Sequence, residues 1–177
     1  MTQSSGRTSA LLIAGAYLFL LTLVFSPVVD LVSTVYPFRM GDPNWRYGFM
    51  GLMAAYLSTP VLGILLAMAL SFVMGHKGTL RLISVASVLG FVALLVVLIL
   101  FPLDVIQVRS ITPEEQRSAF LTGAALAELK HLTAALVLAL LGFGGWRTAK
   151  EMAGKPKGSQ RAELTAEVLK AQKRDEN

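Results

Sequence analysis

The 177-residue chain contains no cysteine, which excludes a structural disulfide, a thiolate metal site and a cysteine nucleophile. Histidine is almost as scarce. His76 and His131 stand far apart in sequence and supply at most two imidazoles, whereas zinc usually takes three or four ligands. No metal centre and no other cofactor is expected. Charge is the third scarcity: 15% of residues are charged, against about 25% in an ordinary soluble domain. Disorder over most of the chain needs low hydrophobicity and high charge, so it is excluded as well.

What the chain has in abundance is apolar sequence. Hydrophobic residues make up 54% and fall in blocks long enough to cross the roughly 30 Å hydrocarbon core, which takes about 20 residues of helix. Four blocks qualify, near residues 10–32, 47–74, 80–103 and 113–149. The first exceeds the length of a signal-peptide core and lacks a small-x-small cleavage site near Pro27, so it is read as a helix of the membrane. The expected fold class is therefore all-α: a polytopic membrane protein with four transmembrane helices as two antiparallel hairpins. Residues 1–153 form the membrane domain. Residues 154–177 form a basic tail, with a linker at 154–160 and a short amphipathic helix at 161–174.

Counting Lys and Arg in the connecting segments sets the orientation. Arg7, Lys77, Arg81 and eight tail residues make eleven on one side, against Arg39, Arg46, Arg109 and Arg117 on the other. Both termini are expected in the cytoplasm, and the location is the cytoplasmic membrane. The net charge of +5 is then a topology signal and an attraction to anionic lipid heads. Nucleic-acid binding is the weaker account, because the basic residues are interleaved with Glu151, Glu163, Glu167, Asp175 and Glu176.

Two connections, 33–46 and 104–118, look longest and richest in polar chemistry. Asp42 and Thr112 each precede a proline and read as helix N-caps. Asp30 and Asp104 stand near helix ends, where pairing with Arg39, Arg46 or Arg117 is the alternative to simple hydration. Tyr36, Trp45, Tyr47 and Trp146 read as an interfacial belt, with an aromatic cage of Tyr36, Phe38 and Trp45 as the alternative. Pro60 should bend the second span. Glu128 and His131 share a helix face at i, i+3 and are either interfacial charge or a proton-handling pair. Small residues four apart (Gly51 and Ala55, Ala86 and Gly90, Gly123 and Ala127) mark faces for close helix approach.

Asp30, Tyr36-Pro37-Phe38, Asp42-Pro43-Asn44-Trp45-Arg46 and Pro60-Val61-Leu62-Gly63, with Phe101-Pro102-Leu103-Asp104 later, together resemble the small HpsJ-like membrane proteins linked to hormogonium polysaccharide in cyanobacteria. The resemblance covers about residues 30–104. The Gln-rich segment that follows the third helix in that family is represented here only by the shorter stretch 112–123. The resemblance implies a non-enzymatic accessory protein of exopolysaccharide production or export, with no catalytic residue to carry over. Its expected partners are the bilayer and other membrane proteins or further copies of itself. The competing reading is a small transporter or channel that uses the acids near the outer membrane face, Asp30 and Asp104, with Glu128 and His131 as pathway residues. A membrane enzyme is the weakest, since no Ser-His-Asp set or paired acids at metal spacing occur.

Overall fold

The computed structural model describes residues 3–154, with side-chain surroundings from Ala10 to Ala153. The expected tail helix lies outside the described residues. Five helices follow one another without a strand among these residues: α1 (Gln3–Val35), α2 (Pro43–Tyr56), α3 (Ser58–Val73), α4 (Lys77–Ile111) and α5 (Glu114–Gly154). Three are long and apolar enough to cross a membrane, and α2 with α3 makes a fourth if the bent pair counts as one span.

The bend between α2 and α3 is 42° and falls at Leu57, one turn before Pro60. That offset follows from the chemistry of proline, which lacks the N–H that would reach the carbonyl four residues back and presses its ring against that carbonyl. Hydrogen bonding resumes at once, with Val61 N–H donating to Leu57 O at 3.3 Å. At the other end of α3 the turn is closed by glycine. Gly75 takes φ +68°, Gly75 N–H donates to Phe72 O (3.1 Å) and His76 N–H to Ser71 O (2.9 Å), the paired bonds of a Schellman cap.

The second long connection is not a loop. α4 continues eight residues beyond the expected end at 103, through Pro102 to Ile111, because Asp104 and Val108 are buried there and hold the extension in place. Only residues 112–113 separate it from α5. Thr112 closes α4 by donating its hydroxyl to Val108 O at 2.8 Å, so it serves the end of α4 and not the N-cap of α5. The first connection is a true loop, residues 36–42. These two connections define what is called here the loop end of the bundle. The Gly75–His76 turn and the end of α5 define the tail end.

α4 and α5 run antiparallel and form the principal seam, with α2 and α3 packed across both and α1 packed on α3 and α2 alone. The seam is built on small residues. A Cβ on Gly142 would lie 2.7 Å from Val88 Cγ2, and one on Gly145 would lie 2.8 Å from Met68 Cε. Gly63 does the same for α1: a Cβ there would meet Val24 Cγ2 at 3.0 Å and Leu23 Cβ at 3.2 Å. The expected faces at Gly51 and Gly123 are open, and of the anticipated glycines only Gly90 is in contact, against Leu138. Helix association in lipid depends on such close approach, because there is no hydrophobic drive between helices already in hydrocarbon.

Two contact levels give the thickness. Leu80 and Ala149 share a cluster near the tail end, and Phe101 meets His131 near the loop end. The rise between those levels is about 31 Å along α4 and about 27 Å along α5 at 1.5 Å per residue, close to the hydrocarbon core of a bilayer. Beyond Phe101 the α4–α5 hairpin continues about 15 Å along α4, as the length of the 113–149 block implied.

Candidate functional site

The loop end gathers most of the residues that the sequence singled out. Asp104 is 2% exposed and receives Arg46 as a fork: Nε lies 3.1 Å from each carboxylate oxygen, and Nη2 lies 2.6 Å from Oδ1. Nη1 of the same guanidinium donates to Met40 O at 2.8 Å. One side chain thus ties α2, α4 and the 36–42 loop together, in the planar geometry that arginine supplies and lysine does not. Asp42 caps α2 by accepting from Asn44 N–H at 2.9 Å, and Trp45 Nε1–H donates to Val35 O at 3.1 Å.

Aromatic rings continue the same construction. Tyr36, Phe38, Trp45 and Phe49 form a run of adjacent contacts with ring centroids 5.4–6.0 Å apart. The Tyr36–Phe38 and Phe38–Trp45 contacts are edge-on, and Tyr36 and Trp45 line a shallow cavity beside the loop. A second run crosses the bundle from Phe120 through Tyr47 and Phe101 to His131, at 4.8, 5.6 and 5.7 Å.

His131 is fully buried, and among the described residues no group completes a hydrogen bond to either ring nitrogen. One carboxylate oxygen of Glu128 is also buried without a partner. The two share a face of α5 without an ion pair. A buried polar group left unpaired costs on the order of 1–3 kcal/mol, so these atoms are the least settled polar groups of the loop end.

The remaining candidates stand apart. Asp30 is exposed on α1, and its carbonyl, not its carboxylate, is engaged, by Thr34 Oγ1 at 2.7 Å. Arg39 is exposed on the loop. Arg117 turns to Glu114 at 3.3 Å and to Thr112 O at 3.2 Å, within its own helix and cap. Of the possible acid–arginine pairings, the structure forms Arg46 with Asp104.

Sequence reasoning missed a polar cluster at the tail end. Tyr17 Oη lies 3.1 Å from Ser71 Oγ and 3.0 Å from His76 Nδ1, and the Tyr17 and His76 rings stack at 5.9 Å. Ser71 also donates to Ala67 O at 2.7 Å. The cluster ties α1 to the α3–α4 turn. No group of three or more His, Cys, Asp or Glu residues that could hold a metal ion occurs among the described residues.

Between the two ends the core is apolar. Leu94, Ala134, Ala135 and Leu138 fill it, and the buried serines nearer the tail end are satisfied internally, Ser84 by Leu80 O and Ser87 by Ile83 O, each at 2.8 Å. Compared with models of protein families, with curated proteins and with solved structures, the chain matches none.

Proposed function

We propose that this chain is a non-enzymatic accessory protein of the cytoplasmic membrane: four spans in two antiparallel hairpins, both termini in the cytoplasm, serving a larger membrane assembly. The observation that carries this reading is the apolar plug of Leu94, Ala134, Ala135 and Leu138. It separates His131 from the polar groups of the tail end, so the described bundle offers no polar route across the hydrocarbon core of the kind that transporters and channels line. Arg46, Asp104, Asp42 and Trp45 at the loop end are spent on tying helices and loop together. α1 packs on one side only and presents Leu11, Leu18, Phe19 and Phe25 outward, a surface suited to helices of other membrane components. The resemblance over residues 30–104 points this role toward exopolysaccharide production or export.

Affinity purification of the full chain through a C-terminal tag, in mild detergent, tests the proposal. Stoichiometric recovery of other membrane proteins is the expected result, and polysaccharide synthesis or export components among them would support the pathway. Recovery of the chain alone as a monomer would refute the accessory role.

A second reading is favoured by one observation, the unpartnered His131 and Glu128 atoms, which are what a proton-handling site would leave between turnovers. Liposomes containing the purified chain distinguish the two. Proton flux abolished by His131→Phe would establish transport, and no flux across a range of pH leaves the accessory reading standing.

A further inference from the structure

The 42° bend at Leu57 has a spatial consequence on the side facing α5. Where α2 turns into α3 a groove of about 480 Å³ opens between them and α5, with Leu57, Ser58 and Val61 on one wall and Lys130, Thr133 and Val137 on the other. It is an apolar trough with one cation at its mouth. Lys130 is exposed, and among the described residues it forms no ion pair and no hydrogen bond. It adjoins His131, which meets Phe101 one turn before Asp104, so it stands at the loop-end edge of the hydrocarbon core. α-Helical side chains lean toward the helix N-terminus, which for α5 is the loop end. The ammonium of Lys130 therefore reaches toward the headgroups while its stem remains against the trough.

Glu128, two residues before Lys130, lies on another face of α5 and forms no ion pair with it, so the lysine's charge is open to an anion in a region of falling dielectric, and the groove below it continues about 10 Å along α5 from Lys130 to Val137. The phosphate of a phospholipid satisfies the first feature and its acyl chain the second. We propose that this groove is a binding site for one anionic phospholipid of the loop-end leaflet, with its phosphate on Lys130 and an acyl chain along Val61, Thr133 and Val137. The preference is for a net-negative headgroup. A zwitterionic lipid brings its own ammonium beside Lys130 and gains less. The site is separate from the basic tail and does not depend on the proposed accessory role.

The test uses the full chain in liposomes doped with phosphatidylglycerol or phosphatidylcholine carrying a photoactivatable acyl chain, with cross-links mapped by peptide mass. Phosphatidylglycerol should label residues 57–65 and 129–137 several-fold more than phosphatidylcholine. Lys130→Gln should abolish that preference, Lys130→Arg should retain it, and Thr133→Trp, which fills the trough, should reduce labelling there by both lipids. Melting temperatures establish that the variants are folded, and the arginine variant supplies a readout even if the glutamine variant is not. Equal labelling by the two lipids at the groove, or a preference that survives Lys130→Gln, overturns the proposal.

Discussion

Arg46 approaches Asp104 as a fork, Nε at 3.1 Å from both carboxylate oxygens and Nη2 at 2.6 Å from one of them, across a sequence separation of 58 residues. The carboxylate is almost wholly buried and the guanidinium partly exposed. The pair thus fixes the start of α2 against α4 at the loop end of the bundle.

Removing one partner leaves a buried or half-buried charge without compensation, which costs more than removing both. Asp104→Leu and Arg46→Met should each lower the melting temperature by several degrees, because each leaves the other charge without its partner. The double variant Arg46→Met with Asp104→Leu should recover part of the loss. Thermal melts of the four proteins in one detergent check this, and additive single and double effects would show that the pair is not coupled.

The α4–α5 seam makes a prediction by position. Gly145→Val overpacks the contact with Ser84 and Met68 and should destabilise by about 1–3 kcal/mol. Gly123→Ala, in open space on the same helix, should be neutral or gain up to about 1 kcal/mol of helix propensity. Unfolding of both variants in a denaturing detergent titration reads the difference, and equal effects would contradict the seam.

His131 has a shape partner in Phe101 and lies beside the Met50 backbone, with neither ring nitrogen in good hydrogen-bond geometry. His131→Phe removes these poorly satisfied nitrogens from the interior and should stabilise the protein by up to about 1 kcal/mol. Loss of stability on that change would show that an imidazole hydrogen bond is important to the fold. A gain in stability accompanied by loss of assembly would mark His131 as retained for function.

The absence of cysteine makes the chain a ready background for labelling from either side of the membrane. Gly41→Cys, in the 36–42 loop, should react with an impermeant maleimide on intact cells stripped of any outer envelope. Gly78→Cys, at the start of α4, should react only after permeabilisation. The reverse pattern would place the termini outside.

Much of this fold was legible in the sequence because bilayer thickness and proline chemistry act locally. The apolar blocks located the helices, and Pro60 gave a bend one turn upstream of itself. The N-cap at Asp42 followed from the Asp-Pro pair. What failed depended on tertiary contact. Pro102 and Asp104 read as the end of a helix, yet burial of Asp104 and Val108 carries α4 on to Ile111 and reduces an expected loop to two residues. Thr112, read as a cap for the next helix, instead closes the one before it. Of the small residues spaced four apart, Gly90 packs against Leu138 and Ala127 against the Met50, Phe101 and Ala124 cluster, whereas the tightest glycines, Gly63, Gly142 and Gly145, are chosen by what stands opposite them. In the candidate site, Asp104 had three possible arginine partners in sequence, and the packing of α2 on α4 brings Arg46 to it. The Tyr17, Ser71 and His76 cluster joins residues 54 and 59 positions apart, a distance over which no local pattern speaks.

The most direct test of the accessory role is the mass of the protein taken from its own membrane in polymer-bounded discs, without detergent, and weighed as single particles. An accessory component predicts particles well above the 19.1 kDa chain plus its lipid, containing other membrane proteins in fixed ratio. A uniform population of single chains with lipid alone would contradict it.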